Sequence, residues 1–140
     1  MNREFSAVAV YLLSFQGTNT NNSFDCIVHA SWAPRTVEAI VHRAPLVVRT
    51  HVRGPLALFP VSFRLVLERP VTRAKRGQLV SIPTLSSLAL VLEDTTLRFR
   101  ATLIGEISGD HAHLIGNVKQ GDEYRITIRK VEALEHGENS

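Results

Sequence analysis

The sequence predicts a mainly β fold, a closed or nearly closed barrel of about eight strands with one or two short helices capping it. Three observations point there. Apolar residues recur at every second position in many short runs, glycine and proline clusters divide those runs at close intervals, and one stretch alone carries clear helical periodicity. Strands with one apolar face leave exposed edges, and closing the sheet on itself removes them. A chain of 140 residues can bury one core without disulfides or metal. A single domain over 1–140 is therefore expected, with loose termini at 1–4 and 133–140.

Residues 5–15 (FSAVAVYLLSF) are almost wholly apolar, as in a strand covered on both faces. Gln16 to Ser23 is a turn by composition, because asparagine and glycine tolerate positive φ and short polar side chains bond their own backbone. Phe24 to Ala30 resumes as a strand and closes a hairpin. Trp32 and Ala33 lead into a helix from Pro34 to about residue 44, since proline suits a first helical position and Glu38 lies near the positive end of the helix dipole. Val37, Ile40, Val41 and Ala44 form its buried stripe, and Pro45 ends it.

From Leu46 the period returns to two, with Val47, Arg49, His51 and Arg53 on one face until Gly54-Pro55 breaks the strand. Val61, Phe63, Leu65 and Leu67 alternate with polar residues as a half-buried strand, and Pro70 to Gly77 reads as a basic loop. Leu79 to Ile82 and Leu88 to Leu92 are short apolar strands joined through Pro83 to Ser87. Leu97, Phe99, Ala101 and Leu103 alternate in the next strand, Asp110 is placed to cap a short helix over 111–116, and Tyr124, Ile126 and Ile128 alternate in the last strand.

No apolar run approaches the roughly 20 residues a membrane helix needs. The amino-terminal MNREFSAVAVYLLSF carries an acid at Glu4 and bulky residues at Tyr11 and Phe15, so it reads as a first strand rather than a secretion signal. Cys26 is the one cysteine, which excludes an internal disulfide and suits a reducing, cytoplasmic setting. The net charge of +3 is uneven: residues 35–76 hold nine basic side chains against Glu38 and Glu68, while Glu132, Glu135 and Glu138 make an acidic, solvated tail.

Several short motifs carry a family resemblance. Ala33-Pro34-Arg35-Thr36-Val37-Glu38 resembles the A-P-K-T-x-E helix start of the cyclophilins and of the bacterial and archaeal stand-alone cyclophilin-like domains. Arg76 to Pro83 followed by Leu88-Ala89-Leu90 is similar to the glycine turn, strand, proline turn and L-A-L strand of the cyclophilin-like domains. Ile104-Gly105-Glu106-Ile107 resembles their F-G-x-V strand, and Val118-Lys119-Gln120-Gly121-Asp122 their V-K-x-G-D turn. The order strand, hairpin, strand, A-P-R-T helix, strand is theirs as well, and with it the match spans roughly residues 5–131. The resemblance implies a cyclophilin-like barrel with the helix at one mouth. It also implies an arginine, after that helix, that would polarise a prolyl amide, a role open to Arg53 in a weak prolyl isomerase. The proline pocket of true cyclophilins has a Q-F-F strand and a tryptophan, whereas here the strand reads Leu88-Ala89-Leu90 and no tryptophan follows Trp32. A binding module without isomerase turnover is the expectation.

Arg49, His51 and Arg53 are the candidate ligand-binding residues, because alternate residues of a strand project from one face about 7 Å apart and would present cations to a peptide segment or small anionic ligand. An ordinary solvated face weighs more heavily as an explanation of three polar residues alone. Arg69, Arg73, Lys75 and Arg76 could attract nucleic acid, although no aromatic residues interleave them as stacking platforms. Asp110, His111 and His113 lack metal-ligand spacing, so no metal is expected; no cofactor motif is present either. Cys26 keeps phase with Phe24 and Val28 as a buried hydrophobe, and Trp32 reads as a lid on the barrel.

Overall fold

In the computed structural model, residues 5–131 are described; the expected loose termini and the acidic tail at Glu132, Glu135 and Glu138 lie outside them. Strand β1 (Val10–Gly17) turns through Thr18–Asn22 into β2 (Ser23–His29), in register from Val10 opposite His29 to Gln16 opposite Ser23. The hairpin is the expected one, but β1 starts at Val10 and runs to Gly17, so residues 5–9 are not strand. Gly17 is required there: a Cβ would run into the carbonyl oxygens of Thr20 and Asn22.

Helix α1 (Pro34–Arg43) buries Thr36, Val37, Ile40 and Val41, close to the expected stripe. Its cap differs from expectation. Ala33 offers no capping side chain, Glu38 lies beyond the first turn, and the carboxylate of Glu68 does the work from 32 and 33 residues along the chain. Glu68 Oε1 accepts from Arg35 N–H at 3.0 Å, while Oε2 accepts from Thr36 N–H at 2.9 Å and from Thr36 Oγ1 at 2.7 Å. Two exposed-end N–H groups are satisfied and a negative charge sits at the positive end of the helix dipole.

After α1 come β3 (Leu46–Arg49), Thr50, β4 (His51–Arg53) and β5 (Leu56–Pro60). Residues 61–69 form no strand despite their alternation. Phe63 and Leu65 drop into the core, and the Glu68 N–H donates to Thr102 Oγ1 at 2.8 Å, so this segment satisfies the helix rather than a ladder. Then follow β6 (Pro70–Ala74), β7 (Gln78–Ile82), a 3-10 turn (Pro83–Leu85), β8 (Ser87–Val91), β9 (Thr95–Ile107), a 3-10 helix (Gly109–Asn117) and β10 (Glu123–Lys130). The stretch read as a basic loop is thus largely strand β6, which pairs with β9. Ser108, not Asp110, occupies the position before the 3-10 helix, and no side chain caps it.

Among the described residues the fold is mainly β: ten antiparallel strands in the order β3-β10-β1-β2-β9-β7-β8-β5-β4, with β6 attached to β9. The expected closure into a barrel is not made by strand pairing, because β3 and β4 are the two ends of this path. Yet these ends are halves of one segment, 46–53. Its first half pairs with β10 and its second with β5, and Thr50 between them exchanges backbone hydrogen bonds with Gly121 and Asp122 at 2.9 and 2.7 Å.

Two apolar layers result. The larger includes Phe15, Phe24, Phe59 and Tyr124, whose rings lie 4.6 to 6.0 Å apart, together with α1. The smaller lies on the other face of β5, β7 and β8, where Leu56, Leu58, Val80, Ile82, Ala89 and Val91 meet Leu97 and Ala101 of β9 and Ala74 of β6. Strand β9 belongs to both layers. At Gly105 its backbone runs so close to β2 that a Cβ would collide with the Ile27 carbonyl oxygen and stand 2.8 Å from Val28 Cα. No described helix is long and apolar enough to cross a membrane.

Candidate functional site

Alternation on the 46–53 segment does what the sequence says: Val48 and Thr50 are buried, and Arg49, His51 and Arg53 are exposed on the opposite face. The three do not make a common site. Arg49 turns toward β10, donating to Gly121 O at 3.3 Å and pairing with Glu123 Oε1 at 3.4 Å; with its side chain 66% exposed, that pair contributes little. Arg53, at the start of the turn through Gly54-Pro55, borders a cleft instead, which neither Arg49 nor His51 lines.

That cleft has a volume of about 430 Å³. It opens where the first half of β9 lies over the β4–β5 hairpin and the 3-10 turn after β7. Leu56, Ile82, Leu97 and Phe99 supply an apolar floor, and Leu85 an apolar wall. Gly54, at φ +57°, makes the tight turn that sets Arg53 at one side of the mouth, and exposed Arg98 stands with it. Neither guanidinium has an ion-pair partner among the described residues. The arrangement is an apolar hollow with cations at its mouth, suited to a ligand having an apolar body and an anionic group.

Gly54, Pro55 and Leu56, at the turn after Arg53, and Leu85, in the 3-10 turn after β7, supply walls of the cleft. Leu97, Arg98 and Phe99 are the contributors that the sequence did not single out as site residues. Their alternation marks a strand, but nothing in the pattern says that their inward face covers a second apolar layer rather than the main core.

The remaining candidates separate. Arg69, Arg73 and Lys75 are exposed around β6, whereas the Arg76 guanidinium donates to Leu92 O at 2.8 Å and its N–H to Asp94 Oδ1 at 2.8 Å, as turn architecture. His111 Nδ1 accepts from the Asp25 N–H at 2.9 Å, His113 is exposed, and among the described residues no three His, Cys, Asp or Glu side chains gather as metal ligands would. Cys26 is fully buried, and that burial, reinforced by the Asp25 carboxylate, pushes its thiol pKa far up, so it is no thiolate nucleophile. Trp32 stacks on His29 with ring centroids 4.0 Å apart. Leu88, Ala89 and Leu90, which stand where the resemblance would place a proline pocket, are completely buried.

No family model matches the chain, and no curated protein matches it in sequence. Solved structures do. The solution structure of the hypothetical protein AF2241 from Archaeoglobus fulgidus superposes with a TM-score of 0.64 at 20% identity, covering 90% of this chain and 98% of that one. A structure of McbB in complex with tryptophan superposes with a TM-score of 0.68 at 12% identity over 81% of this chain, which spans only 43% of McbB. At these identities what is shared is the fold.

Proposed function

We propose that the chain is a binding module of cyclophilin-like type that takes a peptide segment or small ligand, with an apolar body and an anionic group, into the cleft beside Arg53. The observation that carries this is the cleft's composition: a floor of Leu56, Ile82, Leu97 and Phe99 with Arg53 and Arg98 at its mouth. Small-ligand sites share that makeup, a mostly apolar hollow of roughly 300–1,000 Å³ with a few convergent polar groups. Arginine is the apt cation, since its planar fork holds a carboxylate bidentately. The tryptophan named with McbB has both parts, an indole and a carboxylate, which supports this ligand class.

Support for a barrel-like arrangement comes from segment 46–53, whose two halves, on either side of Thr50, pair with β10 and with β5 at the opposite ends of the strand path. Support for binding without prolyl turnover comes from the burial of Leu88, Ala89 and Leu90, which leaves that segment nothing to grip a proline with. The test is a two-dimensional NMR titration with N-acetyl-L-tryptophan. Saturable shifts are expected at the amides of Leu56, Ile82, Leu97 and Phe99, with Arg53→Glu weakening affinity about tenfold or more, the loss of one charge-assisted contact. Absence of saturation at millimolar probe, or shifts centred on another face, would overturn the proposal.

A further inference from the structure

We propose that the outward face of the β6–β9 ribbon docks on the phosphate backbone of double-stranded nucleic acid. The ribbon brings together cations that lie far apart in the chain. Arg73 of β6 stands opposite Thr96 of β9, Arg98 and Arg100 follow on the same exposed face of β9, and Arg69 and Lys75 flank β6 at its two ends. Alternate residues on a strand are about 7 Å apart, so Arg98 and Arg100 make neighbouring contacts along one line. None of these five cations is in an ion pair among the described residues.

Acids near this face are fewer than its cations. Glu68 caps α1, Asp94 accepts from the Arg76 N–H and shares a surface hollow with Arg73 and Lys75, and Glu93 is exposed. By contrast, the outward arginines of β10, Arg125 and Arg129, share their face with Glu123 and with Asp25 and Glu106 on nearby strands, so charge there is mixed.

Charge complementarity selects a polyanion, and the side chains select a duplex. The outward positions are Thr72, Arg73, Thr96, Arg98 and Arg100, while Leu97, Phe99 and Ala101 face the second apolar layer. An acidic protein partner would want apolar anchors at the centre of its contact, which this face lacks. Single strands are held by stacking on exposed aromatic rings, and Phe99 is turned inward. A two-stranded ribbon of arginines fits a duplex, whose major groove admits such an element and whose phosphates arginine grips bidentately.

The test is fluorescence anisotropy with a labelled 20-base-pair DNA duplex and the matching single strand. Five phosphate contacts at most would give a log K against log salt slope of about −3 to −4.5, a loss of roughly a hundredfold or more between 50 and 200 mM salt. The double variant Arg73→Glu, Arg100→Glu spares both arginines of the cleft and is expected to weaken duplex binding by more than tenfold and flatten the slope by about 2. The milder Arg73→Gln, Arg100→Gln pair guards against charge reversal unsettling the fold and is expected to move both readouts in the same direction. Lack of duplex binding at low salt, a preference for the single strand, or an equal loss from Arg125→Glu, Arg129→Glu would overturn the assignment. Because the cleft is untouched, N-acetyl-L-tryptophan binding by the double variant separates this surface from the ligand site.

Discussion

Glu68→Ala would unfasten the start of α1. The carboxylate accepts three hydrogen bonds, from Arg35 N–H, Thr36 N–H and Thr36 Oγ1, and Thr36 is only 1% exposed. Losing a side-chain acceptor at a helix start costs about 1 kcal/mol. Losing the charge at the dipole's positive end adds about 0.3–1 kcal/mol, and leaving the buried Thr36 hydroxyl without its acceptor adds about 1 kcal/mol. A total of about 2–3 kcal/mol is expected, which for a chain of this size lowers Tm by roughly 6–12 °C. Urea unfolding followed by circular dichroism measures it, with an unchanged m-value showing that the folded compactness is kept. Glu68→Gln keeps one acceptor oxygen and loses the charge, so about half the cost is expected. A double-mutant cycle with Thr36→Val should show about 1 kcal/mol of coupling. A cost below about 0.5 kcal/mol for Glu68→Ala, or strict additivity in the cycle, would refute the assignment of Glu68 as the cap.

Three other outcomes are expected. Gly105→Ala sets a methyl group against the Ile27 carbonyl and Val28 Cα, backbone atoms that cannot step aside, and is expected to cost about 3 kcal/mol or more, or to abolish folding; a Tm within a few degrees of wild type would contradict that. Tyr124, buried beside Asn22 and Asp122, has its pKa pushed up to about 12, chiefly by burial. A raised folded value stabilises below the unfolded pKa near 10 and is lost as pH climbs through about 12, so wild type is expected to shed roughly 2 kcal/mol over that window, a loss absent from Tyr124→Phe; identical alkaline profiles for the two proteins would count against it. Trp32 is the one tryptophan and stacks on His29 with ring centroids 4.0 Å apart, so its emission intensity and maximum are expected to change in His29→Ala; a spectrum identical to wild type would contradict the stacking.

Where local chemistry decides, the sequence was readable. The asparagine-rich turn, Pro34 at a helix start, the Pro83 turn and the alternation in Tyr124, Ile126 and Ile128 all sit where their composition places them. What failed were segments whose state depends on a distant partner. Phe63 and Leu65 alternate like a strand but have no ladder beside them, and PVTRA looks like a loop until β9 offers one. Glu38 was the nearer acid to the helix start, yet Glu68 reached it because the backbone before β6 folds back over Thr102. The site was half legible for the same reason: exposure of Arg53 followed from periodicity, while its neighbours Leu97, Arg98 and Phe99 depend on a second layer that a period of two cannot reveal.

Strand β9 is unevenly anchored along its length. Its later half is tied to β7 and β2, but between Ala101 opposite Val71 and Thr96 opposite Arg73 its four residues 97–100 span a gap that β6 crosses with Thr72 alone. Three of those four, Leu97, Arg98 and Phe99, line the hollow, with Leu97 and Phe99 in its apolar floor. The β9 side of that floor is therefore its less anchored part, able to settle to the size of a guest without breaking β6–β9 ladder bonds, while Leu56 and Ile82 are held in the sheet by their pairing with β8.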